Sequence, residues 1–308
     1  MSPLGERPDA LTLERGLRAV LEGRLAAVLD RRPNPAASTF ASEIVTCALA
    51  DGREVRVLCK YGAPFPAAGG HSGGVAYEAT VHREALARLR GAAPRLFGAH
   101  RDADGSTWLV VEYLDDAMPI SKRGEAGLVD AARHIGRLHR RAAPLIGDLP
   151  SINVYDAGHY ALFARRAESR GVERGWAPAW FGDLVRAFER AVGELTEPPL
   201  TLIHGECYPD NVLAWGTVIR PVDWECAAIA AGEVDVAALT ERWPAETAAA
   251  CAAAYREECG RAADHHFERR LGLARIYLHL RSLGGGPRRS PGWRVSDLRD
   301  TADRLGLL

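Results

Sequence analysis

The chain has 308 residues, of which 47% are hydrophobic and 26% charged, and its 39 Lys and Arg nearly balance 40 Asp and Glu. That length buries a core without staples, while a net charge of −1 excludes a polybasic protein held by bulk charge to nucleic acid or an anionic membrane. No apolar run approaches the roughly 18 residues of a membrane span, and MSPLGERPDA does not read as a secretory signal.

Six cysteines, at 47, 59, 207, 226, 251 and 259, form no C-x-x-C pair and match no zinc spacing. Reduced thiols in a cytoplasmic protein are expected, with neither membrane nor nucleic acid as partner. The sequence leaves monomer and homodimer open.

In chain order, Leu13, Leu17, Leu21, Leu25 and Val28 form a stripe at helical spacing, predicting a helix over 11–29 that RRPNP ends. Segments 39–49 and 54–60 are β-rich and flank Asp51-Gly52, a hairpin turn signal. Gly and Pro crowd 62–74, predicting a mobile connection. Helical periodicity resumes over 75–90, and WLVVEYL at 108–114 reads as a buried strand.

Beyond about residue 120 the pattern turns helical. Leu128, Ala131, Ala132, Ile135 and Leu138 mark one helix, and Phe181, Leu184, Phe188 and Leu195 another, with an aromatic and glycine-rich stretch at 150–180 between them. A short β segment occupies 200–224. Helices return from about 233 to 283, with Phe267, Leu271, Ala274 and Leu278 in register. AETAAACAAAY at 245–255 is a strong helix former. A β-rich N-terminal part and a larger helical part predict a ligand cleft where the two meet.

The chemistry concentrates in His204-Gly205-Glu206-Cys207-Tyr208-Pro209-Asp210-Asn211, followed by Pro221-Val222-Asp223-Trp224-Glu225. A carboxylate and an amide oxygen are the hard ligands Mg²⁺ prefers. A separate carboxylate can take or orient a hydroxyl proton. Together these are the parts needed to move a phosphoryl group onto an alcohol. H-G-[DE]-x-x-x-x-N followed by a strand ending in V-D-W resembles the catalytic and metal loops of aminoglycoside phosphotransferase-like kinases, small-molecule relatives of protein kinases. The resemblance implies that Glu206 is the catalytic base and that Asn211 and Asp223 bind Mg²⁺. It gives His204 an architectural part. The family residue at 206 is commonly Asp. Glu pushes the carboxylate outward by roughly 1.5 Å, and misplacements of about 1 Å are costly in catalysis.

The same resemblance places the remaining parts. Lys60, at the end of EVRVLCK, falls where the family holds the α- and β-phosphates of ATP. Its helix partner is Glu78, which shares a face with Val81, Ala85 and Leu89, whereas Glu84 lies about 120° away. WLVVEYLDD resembles the hinge, so the Glu112 carbonyl and the Leu114 amide would face adenine with Val111 behind it. Asp235 in GEVDVAALT matches a brace for the catalytic loop. No G-x-G-x-x-G precedes Asp51. The phosphate-covering segment would be Ala37-Ser38-Thr39-Phe40-Ala41-Ser42, with Ser38 and Thr39 offering hydroxyl and backbone groups.

The expectation is an α+β, bilobal, protein-kinase-like fold, with a nucleotide-binding lobe over 1–112 and a helical catalytic and substrate lobe over 113–308. Its expected activity is ATP-dependent transfer of the γ-phosphoryl group to a small-molecule hydroxyl on an aminoglycoside, amino sugar, nucleoside or related metabolite, with roles from antibiotic resistance to biosynthesis open. The acceptor would lie near 150–180 and 239–300. The alternative is a nucleotide-binding protein of the same fold with weak or no transfer. A protein kinase is disfavoured because no D-F-G or A-P-E delimits an activation loop. Cys207 reads as an unreactive thiol. The adjacent His265 and His266 point apart on a helix and read as surface residues. Asp297, Asp300 and Asp303 read as a solvated face.

Overall fold

Helix α1 (Ala10–Val20) begins where the Asp9 carboxylate accepts the Thr12 amide, and it buries Leu13 and Leu17. The computed structural model describes residues 6–36, 39–63, 73–261, 264–285 and 292–308. The leucine stripe does not stay helical as its spacing predicts. Glu22 and Gly23 take left-handed backbone (φ 54° and 75°), which ends the helix. Leu25 and Val28 then belong to strand β1 (Leu25–Pro33). The spacing fits both because Leu21 and Leu25 are buried in the same core.

The chain forms two units. The first comprises residues 1–118 and 213–226, so the segment carrying Asp223 groups with the N-terminal part. Its five-stranded sheet has the order β1-β2-β3-β5-β4, with β2 (Ala41–Leu49), β3 (Glu54–Tyr61), β4 (Leu96–Arg101) and β5 (Thr107–Glu112). β2 and β3 are the hairpin turned at Asp51-Gly52, where Gly52 needs φ 81°. Helix α2 (Gly74–Glu84) packs on β5. A small sheet has the order β6-β8-β9, from β6 (Met118–Pro119), β8 (Val212–Trp215) and β9 (Val218–Pro221). The Gly- and Pro-rich connection expected to be mobile lies, over 64–72, outside the described residues.

The second unit, 119–212 and 227–308, is built on helices. α3 (Gly124–Ala142) packs on α8 (Ala245–Glu258). α9 (Phe267–Gly285) receives α4 (Ala157–Glu173), α7 (Glu233–Leu239) and α10 (Gly292–Leu305). α5 (Phe181–Ala191) lies on α4, with the single turn α6 (Gly193–Thr196) after it. Phe267, Leu271, Ala274 and Leu278 are all buried, as their register predicts. Strands β7 (Thr201–Ile203) and β10 (Ala228–Ala230) pair antiparallel, and the 204–211 loop leaves β7.

Candidate active site

In the first unit, the β3 register sets Lys60 between Ser42 of β2 and Leu109 of β5. Its side chain is 13% exposed. Nζ donates to Glu78 Oε2 at 2.7 Å, to Glu225 Oε2 at 3.3 Å and to Asp223. The Phe40 ring lies 5.4 Å from Nζ. Burial alone would lower the lysine pKa, but the Glu78, Asp223 and Glu225 charges outweigh it and hold it well above the ordinary value.

Glu78 is buried on α2, and its Oε1 accepts the Trp224 amide at 3.0 Å. Burial pushes its pKa up. The Lys60 and His82 charges and these hydrogen bonds pull it further down, so the net shift is downward. Asp223 sits in left-handed backbone, φ 70°. Such a conformation costs of order 1–3 kcal/mol for a residue other than glycine and concentrates at functional sites. The turn at Trp224–Cys226 then carries Glu225 back, and its carbonyl accepts the Gly73 amide at 2.9 Å.

The ligand oxygens of Glu78, Asp223 and Glu225 lie within 4.8 Å of one another. One ammonium faces three carboxylates. The donors are hard oxygens throughout, so the residues fit a hard divalent cation such as Mg²⁺.

In the second unit, Asp235 at the start of α7 is fully buried. Its Oδ2 accepts the His204 amide at 2.7 Å, and its Oδ1 accepts the Gly205 amide at 2.9 Å. Oδ2 also lies 3.1 Å from His139 Nε2, and His139 Nδ1 lies 2.9 Å from the Tyr255 hydroxyl. Burial alone would raise the Asp235 pKa; the His139 hydrogen bond and charge, with His204, bring it below the ordinary value. His204 is buried, and its Nδ1 accepts the Glu206 amide at 3.3 Å. Gly205 turns the loop at φ 80°, which suits glycine.

Asn211 Nδ2 donates to the Glu206 carbonyl at 3.0 Å, and its amide donates to the Tyr208 carbonyl at 2.8 Å. The Glu206 carboxylate is met by Arg281 of α9, whose Nη1 also donates to the Gly205 carbonyl at 2.7 Å. Cys207 is buried, and burial raises its thiol pKa well above the ordinary value, so it is not a poised nucleophile.

Two architectures thus carry the residues: a sheet with a half-buried lysine among acids, and helices bracing an H-G-E-x-x-x-x-N loop. The profile of the phosphotransferase enzyme family matches residues 72–304. The chain belongs to that family. This phosphotransferase, with an alcohol group as acceptor, has the kinase-like fold of its structural neighbours. The GDP complex of wild-type aminoglycoside 2'-phosphotransferase-IIIa superposes with a TM-score of 0.65 at 14% identity, over 97% of this chain and 99% of that one. Choline kinase LicA from Streptococcus pneumoniae gives 0.63 at 14% identity, over 96% and 99%. A putative fructosamine-3-kinase from Thermobifida fusca gives 0.63 at 18%, over 98% and 100%. No curated protein matches the sequence.

Lys60, Glu78 and Asp223 of the phosphotransferase stand together in one unit, and His204, Glu206, Asn211 and Asp235 stand together in the other. Glu112 closes β5, and its carboxylate accepts the Arg95 amide at 3.2 Å; Leu114, two residues on, is buried. Thr39 is exposed, and Ser38 lies outside the described residues. His265 and His266 are exposed, as are Asp297, Asp300 and Asp303. Sequence reasoning missed two residues. Glu225 was visible in D-W-E but carried no family role. Arg281 lies 75 positions from Glu206, outside any motif. Among the described residues no helix is long and apolar enough to cross a membrane.

Proposed function

We propose that the phosphotransferase moves the γ-phosphoryl group of ATP to a hydroxyl of a small molecule. The observation that carries this reading is the single ammonium of Lys60 facing Glu78, Asp223 and Glu225. A half-buried lysine with excess carboxylate suits a site that takes a metal and a polyphosphate together. The aminoglycoside 2'-phosphotransferase-IIIa neighbour was solved as a GDP complex, which supports a nucleotide as ligand.

Lys60, fixed by Glu78, positions the triphosphate, and Asn211 and Asp223 hold Mg²⁺. When bound, Mg²⁺ offsets charge on the phosphates. The Glu206 carboxylate accepts the proton of the acceptor hydroxyl as that oxygen bonds to the γ-phosphorus and the bond to the β-phosphate oxygen breaks. Asp235 and His204 hold the loop that carries Glu206. The Glu112 carbonyl and Leu114 amide read the adenine edge, and Thr39 covers the phosphates. The acceptor takes the helical unit, near 150–180 and 239–300.

The test is an acceptor screen read by mass spectrometry. ATP-Mg²⁺ and GTP-Mg²⁺ are each offered with aminoglycosides, amino sugars, nucleosides and amino alcohols, and a gain of one phosphoryl group is expected in one class. A second reading, nucleotide binding with little transfer, is favoured by one observation: an oxygen of Glu206 is engaged by Arg281. ATP-Mg²⁺ binding without any product would select it.

A further inference from the structure

We propose that Arg281 is a positioning residue for Glu206, and that the arginine and the glutamate work as a matched pair. The inference rests on the assignment of Glu206 as the base.

Glu206 has one more rotatable bond than the Asp usual at this position in the family it resembles, so its carboxylate sweeps a wider volume. Proton transfer needs that carboxylate held to a fraction of an ångström. The structure supplies a restraint from another element. Arg281 projects from α9 and is 3% exposed. Its Nη1 donates to the Gly205 carbonyl at 2.7 Å and its Nη2 to Glu206 Oε1.

Two anchors on consecutive loop residues fix the planar guanidinium in orientation as well as distance. The Glu206 side chain is 22% exposed, so the pair is sheltered and only lightly screened. The neighbouring arginine does not compete for this role. Arg294 is committed to Glu241, with Nη2 to Oε2 at 3.3 Å, and touches His279 Nδ1 at 3.3 Å.

The geometry has a consequence that fold maintenance alone does not. An Asp at 206 would withdraw the carboxylate by roughly 1.5 Å, about the length of one methylene, and leave the guanidinium short of it. The extra methylene and the arginine therefore belong together. The arginine's effect on turnover must depend on which acid stands at 206, whereas its hydrogen bond to the Gly205 carbonyl does not.

The experiment is a double-mutant cycle on the full chain. Turnover is read as ATP hydrolysis by water and as transfer to the acceptor from the screen, with ATP-Mg²⁺ binding and thermal melting measured alongside. R281M is expected to lower kcat about 30-fold with KM for ATP within about twofold, as removal of a transition-state positioning contact does. R281K, which keeps the charge and one donor, should recover at least about threefold of that. In an E206D background R281M should cost less than about threefold, because the coupling is already gone.

Equal losses in both backgrounds would make Arg281 a fold residue, and a gain in turnover would make it an inhibitor. Either result overturns the proposal, as does an R281M enzyme with full kcat. If R281M fails to melt cooperatively, R281K with and without E206D carries the same comparison. E206Q separates the role of the base from the pairing. An active E206Q chain, or a wild type that neither hydrolyses nor transfers, overturns the assignment of Glu206 itself. An inactive E206Q beside an unaffected R281M overturns only the pairing.

Discussion

The two units solve opposite electrostatic problems with the same side-chain types. In the first, one ammonium stands against three carboxylates, and the imbalance is built into β3, α2 and the turn after Asp223. In the second, acids are matched. Asp235 receives two loop amides and His139, and Glu206 receives Arg281. A fully hydrogen-bonded network fixes a backbone in place, whereas several carboxylates around one ammonium concentrate negative charge. On the proposed function, ligand chemistry belongs to the first cluster and positioning to the second.

The largest expected effect is at Asp223. D223N removes one of the like charges around Lys60, so it should leave the melting temperature nearly unchanged or raise it slightly. Phosphoryl transfer should fall by about 10³-fold, the scale on which a preorganised electrostatic partner acts. Wild-type protein at 100 Kd of ATP-Mg²⁺ should gain about 2.7 kcal/mol of stability, and D223N should lose most of that gain. Thermal melts with and without ATP-Mg²⁺, beside a steady-state assay, check both. A D223N chain that transfers normally would remove the metal role from Asp223.

D235N tests the opposite half. It leaves the charge-assisted bonds to the His204 and Gly205 amides and to His139 without their carboxylate, so stability should fall by about 3 kcal/mol, in the range for breaking a buried charged network. Guanidinium unfolding measures it. Stability moves at Asp235 and barely at Asp223.

How much of this was legible follows from the same contrast. Lys60 and Asp223 could be picked from the sequence because the family resemblance puts them at the end of EVRVLCK and in V-D-W, and helical spacing then chose Glu78 over Glu84. Glu225 sits two residues past Asp223. It reaches Lys60 because left-handed backbone at Asp223 precedes a tight turn, a local geometry that residue types alone do not announce. Arg281 lies within a long helix whose buried face includes Leu273, Ala274, Tyr277 and Leu278, and nothing in its neighbourhood separates it from other helix arginines. The α1–β1 boundary was hidden for a related reason. Leu25 and Val28 keep helical spacing while two left-handed residues have already turned the chain. Pattern reports which residues are buried; it reports direction only where no such turn intervenes.

A smaller effect sharpens the positioning half. Gly232, just before α7, sits against the Tyr255 hydroxyl and the His139 ring. A Cβ there would come within 2.1 Å of the hydroxyl and 2.8 Å of Nδ1. G232A should cost about 1–3 kcal/mol, as overpacking does. It should lower kcat less than D223N does, since Lys60 and its acids lie in the other unit.

The finest test is pH, because both halves respond in acid and only the Lys60 cluster responds in alkali as well. The folded pKa of Asp235 lies below its ordinary 3.8, so its contribution to stability is whole above that value and disappears as pH falls through the folded pKa. Glu78, also lowered, behaves alike below its ordinary 4.5. Lys60 is raised above its ordinary 10.5, so its contribution is whole below that pH and is lost only as pH climbs through the higher folded value. Melting temperatures of wild type and D235N should therefore stay apart from pH 7 down to about 4.5 and converge below about 3.8. Wild type and D223N should instead respond differently above about pH 10.5, where the neighbours that raise Lys60 matter. A wild-type and D235N difference that persisted unchanged to pH 2 would mean that the Asp235 charge plays no part in holding the loop.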